Sequence, residues 1–191
     1  MPVSRYLRSL KAPRAKYELD WLRLLTIEIF PMNDVVEQLW RIVMAQFRSP
    51  GYSVHGPDHW RRVERNSLLL ASRTGADITV VRLFALFHDS RRENDGWDEG
   101  HGARGAEYAE KLRNSAYTLS DDSFELLRYA CVWHTDQKHH DDPTVGTCWD
   151  ADRLDLGRVG VIPDPAFMST EFAKEIAAFG SILPFLPPAP N

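Results

Sequence analysis

The stretch Ile78 to Phe87 is apolar almost all round, broken only by Thr79 and Arg82, and it runs directly into His88-Asp89. A segment without a polar face has no side to show to water, so it must sit inside the molecule whatever element it forms. Its polar end is then carried inward with it. Periodicity alone does not separate a buried helix from a buried strand. Asp77, a good N-terminal cap, stands directly ahead of the run, and the stretch is read as helix. An imidazole and a carboxylate buried together without partners would cost several kcal/mol, roughly the penalty of an uncompensated buried ion. A bound cation would remove that cost.

Helical spacing recurs on both sides of this core segment. From Asn33 or Asp34, apolar residues at 35, 36, 39, 40, 42, 43 and 47 predict an amphipathic helix that stops at Ser49-Pro50-Gly51. A second is predicted from Asp58 to Thr74, with Trp60, Val63 and Leu70 on one stripe and Gly75 as its stop. Ser90 to Gly100 is rich in charge and glycine and reads as a loop, after which Arg104 to Arg113 resumes the helical pattern. Ser120 with Asp121 and Asp122 opens a further helix on which Leu127, Cys131 and His134 share a face. Thr135 to Pro143 reads as loop, Cys148 to Leu156 as a short helix aligning Cys148, Asp152 and Asp155, and a last helix follows Ser169-Thr170. The expected architecture is all-α, one helical bundle of six to eight helices over residues 31–182. A basic arm with room for a leading helix (1–30) precedes it, and a proline-rich tail (183–191) without regular structure follows.

Composition narrows the function. A net charge of −4 and a pI near 6.0 disfavour a binder of long nucleic acid, which needs a basic face. Cys131 and Cys148 form no CxxC pair, so neither a disulfide framework nor a structural zinc cluster is indicated. No apolar run is long enough to span a bilayer and nothing resembles a signal peptide, so the expected setting is cytoplasmic.

Seven histidines lie at 55, 59, 88, 101, 134, 139 and 140. Singly, each is more often a satisfied core or surface residue than a ligand. Three of their settings together are more specific: His59-Trp60-Arg61-Arg62-Val63, then Phe84 to Asp89, then Asp150-Ala151-Asp152-Arg153-Leu154-Asp155. In order and spacing this resembles the H…HD…D signature of the HD superfamily of metal-dependent phosphohydrolases, over roughly residues 55 to 160. The resemblance implies that His59, His88, Asp89 and Asp152 bind one divalent metal. It favours Asp152 over Asp150 as the last ligand; Asp150 is then expected to orient a histidine and Asp155 to pair with an arginine. His101, in a sequence similar to the HxxxGA motif of binuclear members, and His134 are the candidates for a second metal with Asp89 bridging. Imidazole and carboxylate suit Mn, Fe, Ni, Co, Zn or Mg, so the ligand types do not choose the ion.

A divalent ion lowers the pKa of a bound water to about 7 and so supplies hydroxide for attack on phosphorus at neutral pH. Asp89 is the first candidate for proton acceptor, with Glu93 as the acid in the loop after the HD pair; several nucleotide-acting members carry theirs one residue nearer, where this chain has Arg92. Arg62, Arg92, Arg153, Arg158 and Lys138 are the cations at hand for phosphate, each competing with local aspartates. His55 is expected at the mouth of the site, and His139 and His140 in a solvated loop. The expected substrate is a small phosphorylated, nucleotide-like molecule, and a second copy of the chain in a homo-oligomer is a further candidate partner. Two alternatives use the same scaffold: a di-iron oxygenase of HD type, and a catalytically silent metal-binding sensor or interaction module.

Overall fold

A computed structural model describes residues 30–47 and 53–186. The basic segment with its candidate leading helix, the break at Ser49-Pro50-Gly51 and residues 187–191 of the proline-rich tail lie outside the described residues. Among the described residues seven α-helices follow one another: α1 (Phe30–Gln46), α2 (Pro57–Thr74), α3 (Ile78–Phe87), α4 (His101–Leu112), α5 (Asp121–Trp133), α6 (Pro143–Arg153) and α7 (Glu171–Phe179). Among the described residues there is no strand, only an isolated bridge between Arg113 and Tyr117. The fold is therefore all-α.

Local chemistry explains most of the boundaries. Gly75 ends α2 in the left-handed region at φ 72°, and its N–H bonds the Ala71 carbonyl. The Asp77 carboxylate accepts from the amides of Thr79 and Val80 at 2.8 and 3.2 Å, which starts α3 where expected. Ser120 and Thr170 cap α5 and α7 through their hydroxyls. Three boundaries differ from expectation. Helix α1 begins at Phe30, ahead of Asn33, and α4 begins at His101, ahead of Arg104. Helix α6 begins at Pro143, five residues before Cys148, because Asp142 caps it and Pro143 occupies its first turn, where a missing N–H costs nothing. The tail is not wholly irregular either: Leu183–Phe185 makes one 3₁₀ turn, with Pro184 at a place that needs no donor.

Helix α3 is the hub. Val80, Val81 and Leu83 to Phe87 are buried, and α3 packs against α1, α2, α4, α5 and α6. Its one charged residue, Arg82, is buried against Glu64 of α2 at 2.9 Å, so the arginine does not break the apolar surround. Trp40, Trp60 and Trp149 are fully buried around it, each large ring contributing roughly 2–3 kcal/mol by leaving water. No helix among the described residues is long and apolar enough to cross a membrane. The consequence for function is positional. The end of α3 lies in the middle of the bundle, and His88 and Asp89 sit there.

Candidate metal centre

Four side chains meet at the end of α3. His59 arrives from α2, His88 and Asp89 from the end of α3, and Asp152 from the last turn of α6. His59 Nε2 lies 3.1 Å from His88 Nε2 and 3.2 Å from Asp152 Oδ1, and Asp89 Oδ2 lies 3.6 Å from both imidazoles. Donors bound to one ion at about 2.1 Å are separated from one another by roughly 3 to 3.5 Å, close to this spacing. The histidines and Asp89 are buried, and the Asp152 side chain is one-fifth exposed.

The other oxygen of Asp89 faces a second group. Asp89 Oδ1 is 3.3 Å from His101 Nε2 and 3.8 Å from His134 Nε2, and the two imidazoles are 3.0 Å apart. The Asp89 carboxylate thus stands between the His59–His88 and His101–His134 imidazole pairs, and with the second it makes a trio of donors. Glycines allow this approach. A Cβ on Gly102 would lie 2.1 Å from the Cys131 carbonyl oxygen, and one on Gly105 would lie 2.3 Å from that of Phe87. Only bare backbone lets α4 lie close enough to α3 and α5 for His101 to reach Asp89.

The outer nitrogens explain the orientation of the inner ones. His59 Nδ1 donates to Asp155 Oδ2 at 2.7 Å, His88 Nδ1 to the Phe84 carbonyl at 3.1 Å, His101 Nδ1 to the Asp98 carbonyl at 2.6 Å and His134 Nδ1 to the Cys131 carbonyl at 2.7 Å. Each acceptor fixes the tautomer with the proton on Nδ1, so every Nε2 turns a lone pair inward. Two unprotonated Nε2 atoms 3.1 Å apart, as in His59 and His88, or 3.0 Å apart, as in His101 and His134, repel through their lone pairs unless something positive lies between them. The environments of the buried groups agree. Burial drives His88 down to about 3. Burial also disfavours charge on His59, but the bonds from Asp152 and Asp155 outweigh it and raise its pKa. In the other pair burial and the neighbouring His134 lower His101, while the nearby Asp89 carboxylate raises His134 against its own burial. Each imidazole pair therefore favours one positive charge. Burial alone would raise the Asp89 carboxyl, yet His88, the nearby His134 imidazole and the bond to His55 hold it well below the usual carboxylate range. Asp152 is lowered in the same way, the His59 bond overcoming burial. The donor set, its burial and its demand for positive charge fit a divalent ion.

Other expected residues fall differently. His55 is nearer than the mouth: its Nδ1 lies 2.9 Å from Asp89 Oδ2, with the ring still partly exposed. Arg92 reaches Asp89 Oδ1 at 3.3 Å and His101 Nε2 at 3.1 Å, held by the carbonyls of Gly96 and Asn94. Glu93 stands apart. Its carboxylate is 74% exposed and faces Arg104 at 3.9 Å, so it is not placed to take a proton at the cluster. Lys138 is likewise drawn away, its ammonium lying over the Phe167 ring at 4.6 Å. Arg62 is committed to Asp155 at 2.8 Å, and Arg158 to the Val54 carbonyl at 2.8 Å, with one nitrogen 3.4 Å from His55. Arg153 donates to backbone carbonyls at Lys138, Phe167, His134 and Gln137 rather than to aspartates. Asp150 binds the amides of Ser169 and Thr170 and the Thr170 hydroxyl and orients no histidine; Asp155 does that for His59. His140 is half-buried between Tyr129 and Trp149, not solvated.

A cleft of about 420 Å³ opens beside the second trio, lined by His55, Arg92 and His101, by residues 96–100 and by Trp133 at the end of α5. It gives a small molecule access to the cluster.

No family model matches the chain, and no curated protein matches it. Among solved structures, it is similar to the crystal structure of a predicted HD superfamily hydrolase from an uncultured Thermotogales bacterium. The two are 26% identical with a TM-score of 0.57, over 78% of this chain and 83% of the other. The H…HD…D residues that carry the resemblance to the HD superfamily thus converge at the hub of a fold similar to that of this predicted HD superfamily hydrolase.

Proposed function

We propose that the chain is a metal-dependent phosphohydrolase that cleaves a phosphoester of a small molecule or nucleotide. The observation that carries this reading is the convergence of four Nδ1-tethered imidazoles, through Nε2, on Asp89 and Asp152. His59, His88, Asp89 and Asp152 would hold a first ion, and His101 and His134 with Asp89 would hold a second. A divalent ion bound there supplies an acidified water and a Lewis acid for the phosphoryl group.

This chain's residues do the remainder. Asp155 holds His59 in register, and three backbone carbonyls do the same for His88, His101 and His134. His55 donates from Nδ1 to Asp89, which leaves its other nitrogen to exchange a proton with a substrate oxygen at the cleft. That arrangement gives the proton-transfer role expected of Glu93 to the Asp89–His55 pair. Arg92 is the cation nearest the cluster and faces the developing negative charge of the phosphoryl group.

The complete set of six donors also suits two irons, so dioxygen chemistry is the second reading. One experiment separates them. Protein purified without added metal is analysed for its ions, then assayed for phosphate release from a nucleotide panel with Mn, Co, Ni, Mg and Fe in turn. Phosphate release that disappears together with bound metal in Asp89→Ala supports the hydrolase. Iron content with oxygen consumption and no phosphate release would replace it with the oxygenase.

A further inference from the structure

The cleft beside the cluster carries two indoles that nothing in the metal chemistry uses. Trp97 is 85% exposed and Trp133 is 39% exposed, and both line the same opening as His55, Arg92 and His101. Large exposed rings scattered singly over a surface need no explanation. Two on the rim of one cleft, beside the same cluster, do.

Trp133 is the last residue of α5, immediately before His134, so its place is set by the same turn that aims that imidazole inward. Trp97 is tied on both sides. Arg92 donates to the Gly96 carbonyl at 2.8 Å, and His101 Nδ1 donates to the Asp98 carbonyl at 2.6 Å. The Asp98 carboxylate accepts in addition from the Glu93 amide at 2.7 Å and from Arg104 at 2.5 Å. The exposed ring therefore sits on a pinned stretch of chain. The charges around it are selective as well. Among the described residues Arg92 is the one Lys or Arg side chain lining the cleft, whereas the carboxylates of Glu99 and Asp136 are exposed on its rim. A chain of further phosphates would meet those carboxylates. A ring with N–H donors on its edge would be bonded by them.

We propose that Trp97 and Trp133 form a stacking subsite for a planar, nitrogen-bearing heteroaromatic ring, and that the substrate joins such a ring to a single phosphoryl group, as a nucleoside monophosphate does. This specificity rests on the hydrolase reading above. The indoles hold the ring while the phosphoryl group lies at the cluster, and the acidic rim turns away nucleoside triphosphates.

The test compares adenosine 5′-monophosphate with ribose 5-phosphate, which keeps the phosphoester and lacks the ring, for the wild type, Trp97→Ala, Trp133→Ala and Trp97→Phe. The expected result is a wild-type preference in kcat/KM for the ring-bearing ester. Loss of one indole should reduce that preference by at least about fivefold, through KM rather than kcat, and phenylalanine should restore part of it. Quenching of tryptophan fluorescence by adenosine alone, in metal-free protein, gives a readout without turnover and should weaken in Trp97→Ala. Equal handling of the two esters by wild type and variants, with no quenching by adenosine, overturns the subsite while leaving the hydrolase standing. Quenching that persists when neither ester releases phosphate sinks the hydrolase reading and keeps the ring subsite.

Discussion

Replacing glycine by alanine inside a helix ordinarily stabilises it by about 1 kcal/mol, because glycine loses more backbone freedom on folding. At Gly102 and Gly105 the sign should invert. The added methyl groups would stand 2.1 Å from the Cys131 carbonyl oxygen and 2.3 Å from the Phe87 carbonyl oxygen, where ordinary contact begins at 3.4 Å. Both obstacles are backbone of neighbouring helices and cannot rotate away. Helix α4 would have to withdraw by roughly 1 Å, and overpacking of this kind costs about 1–3 kcal/mol or more. Set against the gain in helix propensity, each variant should show a net loss of up to about 2 kcal/mol, a fall in Tm of a few degrees for a chain of this length. Gly157, with no atom near its would-be Cβ, is the matched control and should change little as alanine. Because α4 begins at His101, the same withdrawal draws that imidazole off Asp89, so metal stoichiometry should fall in Gly105→Ala while the first ion is kept. Thermal and urea unfolding together with metal titration read both effects. Equal or greater stability of Gly102→Ala and Gly105→Ala would refute the close approach on which the second donor trio depends.

Asp155→Asn should weaken metal binding about 10- to 100-fold with helix content unchanged, since the carboxylate that orients His59 is lost; titration calorimetry checks it. Metal affinity should fall with falling pH. His59 and His134 have pKa values raised above 6.5, so they take up protons first as pH drops, and an ion must displace those protons. Calorimetry near pH 6.5 in buffers of different ionisation enthalpy should count protons released on binding, and none released would contradict the tethered-imidazole geometry. Arg92→Ala should strengthen binding of a second ion by at least about tenfold, because it removes a positive charge 3.1–3.3 Å from two of that ion's donors. An unchanged binding isotherm would show that the guanidinium does not compete there.

The helix hub was legible because the run ending in His88-Asp89 leaves no polar face, and burial follows from that alone. The caps at Asp77, Ser120 and Thr170 were equally local. Helix α6 was read too short because apolar spacing was weighed above Asp142-Pro143, a cap and first-turn pair that starts it at Pro143. The motifs identified the candidate donors, yet orientation depends on acceptors that no spacing reveals: three are backbone carbonyls, and the fourth is Asp155, whose bond to His59 spans 96 positions. Glu93 was misread for the same reason. Proximity along the chain to Asp89 does not say that a loop turns its side chain toward Arg104. The close approach of α4 was invisible, since a glycine gives no sign of what lies opposite.

The most direct measurement is anomalous diffraction from crystals grown with Mn²⁺. The account predicts a strong peak within about 2.3 Å of His59 Nε2, His88 Nε2, one Asp89 oxygen and one Asp152 oxygen. A peak elsewhere, or none at saturating metal, would contradict it.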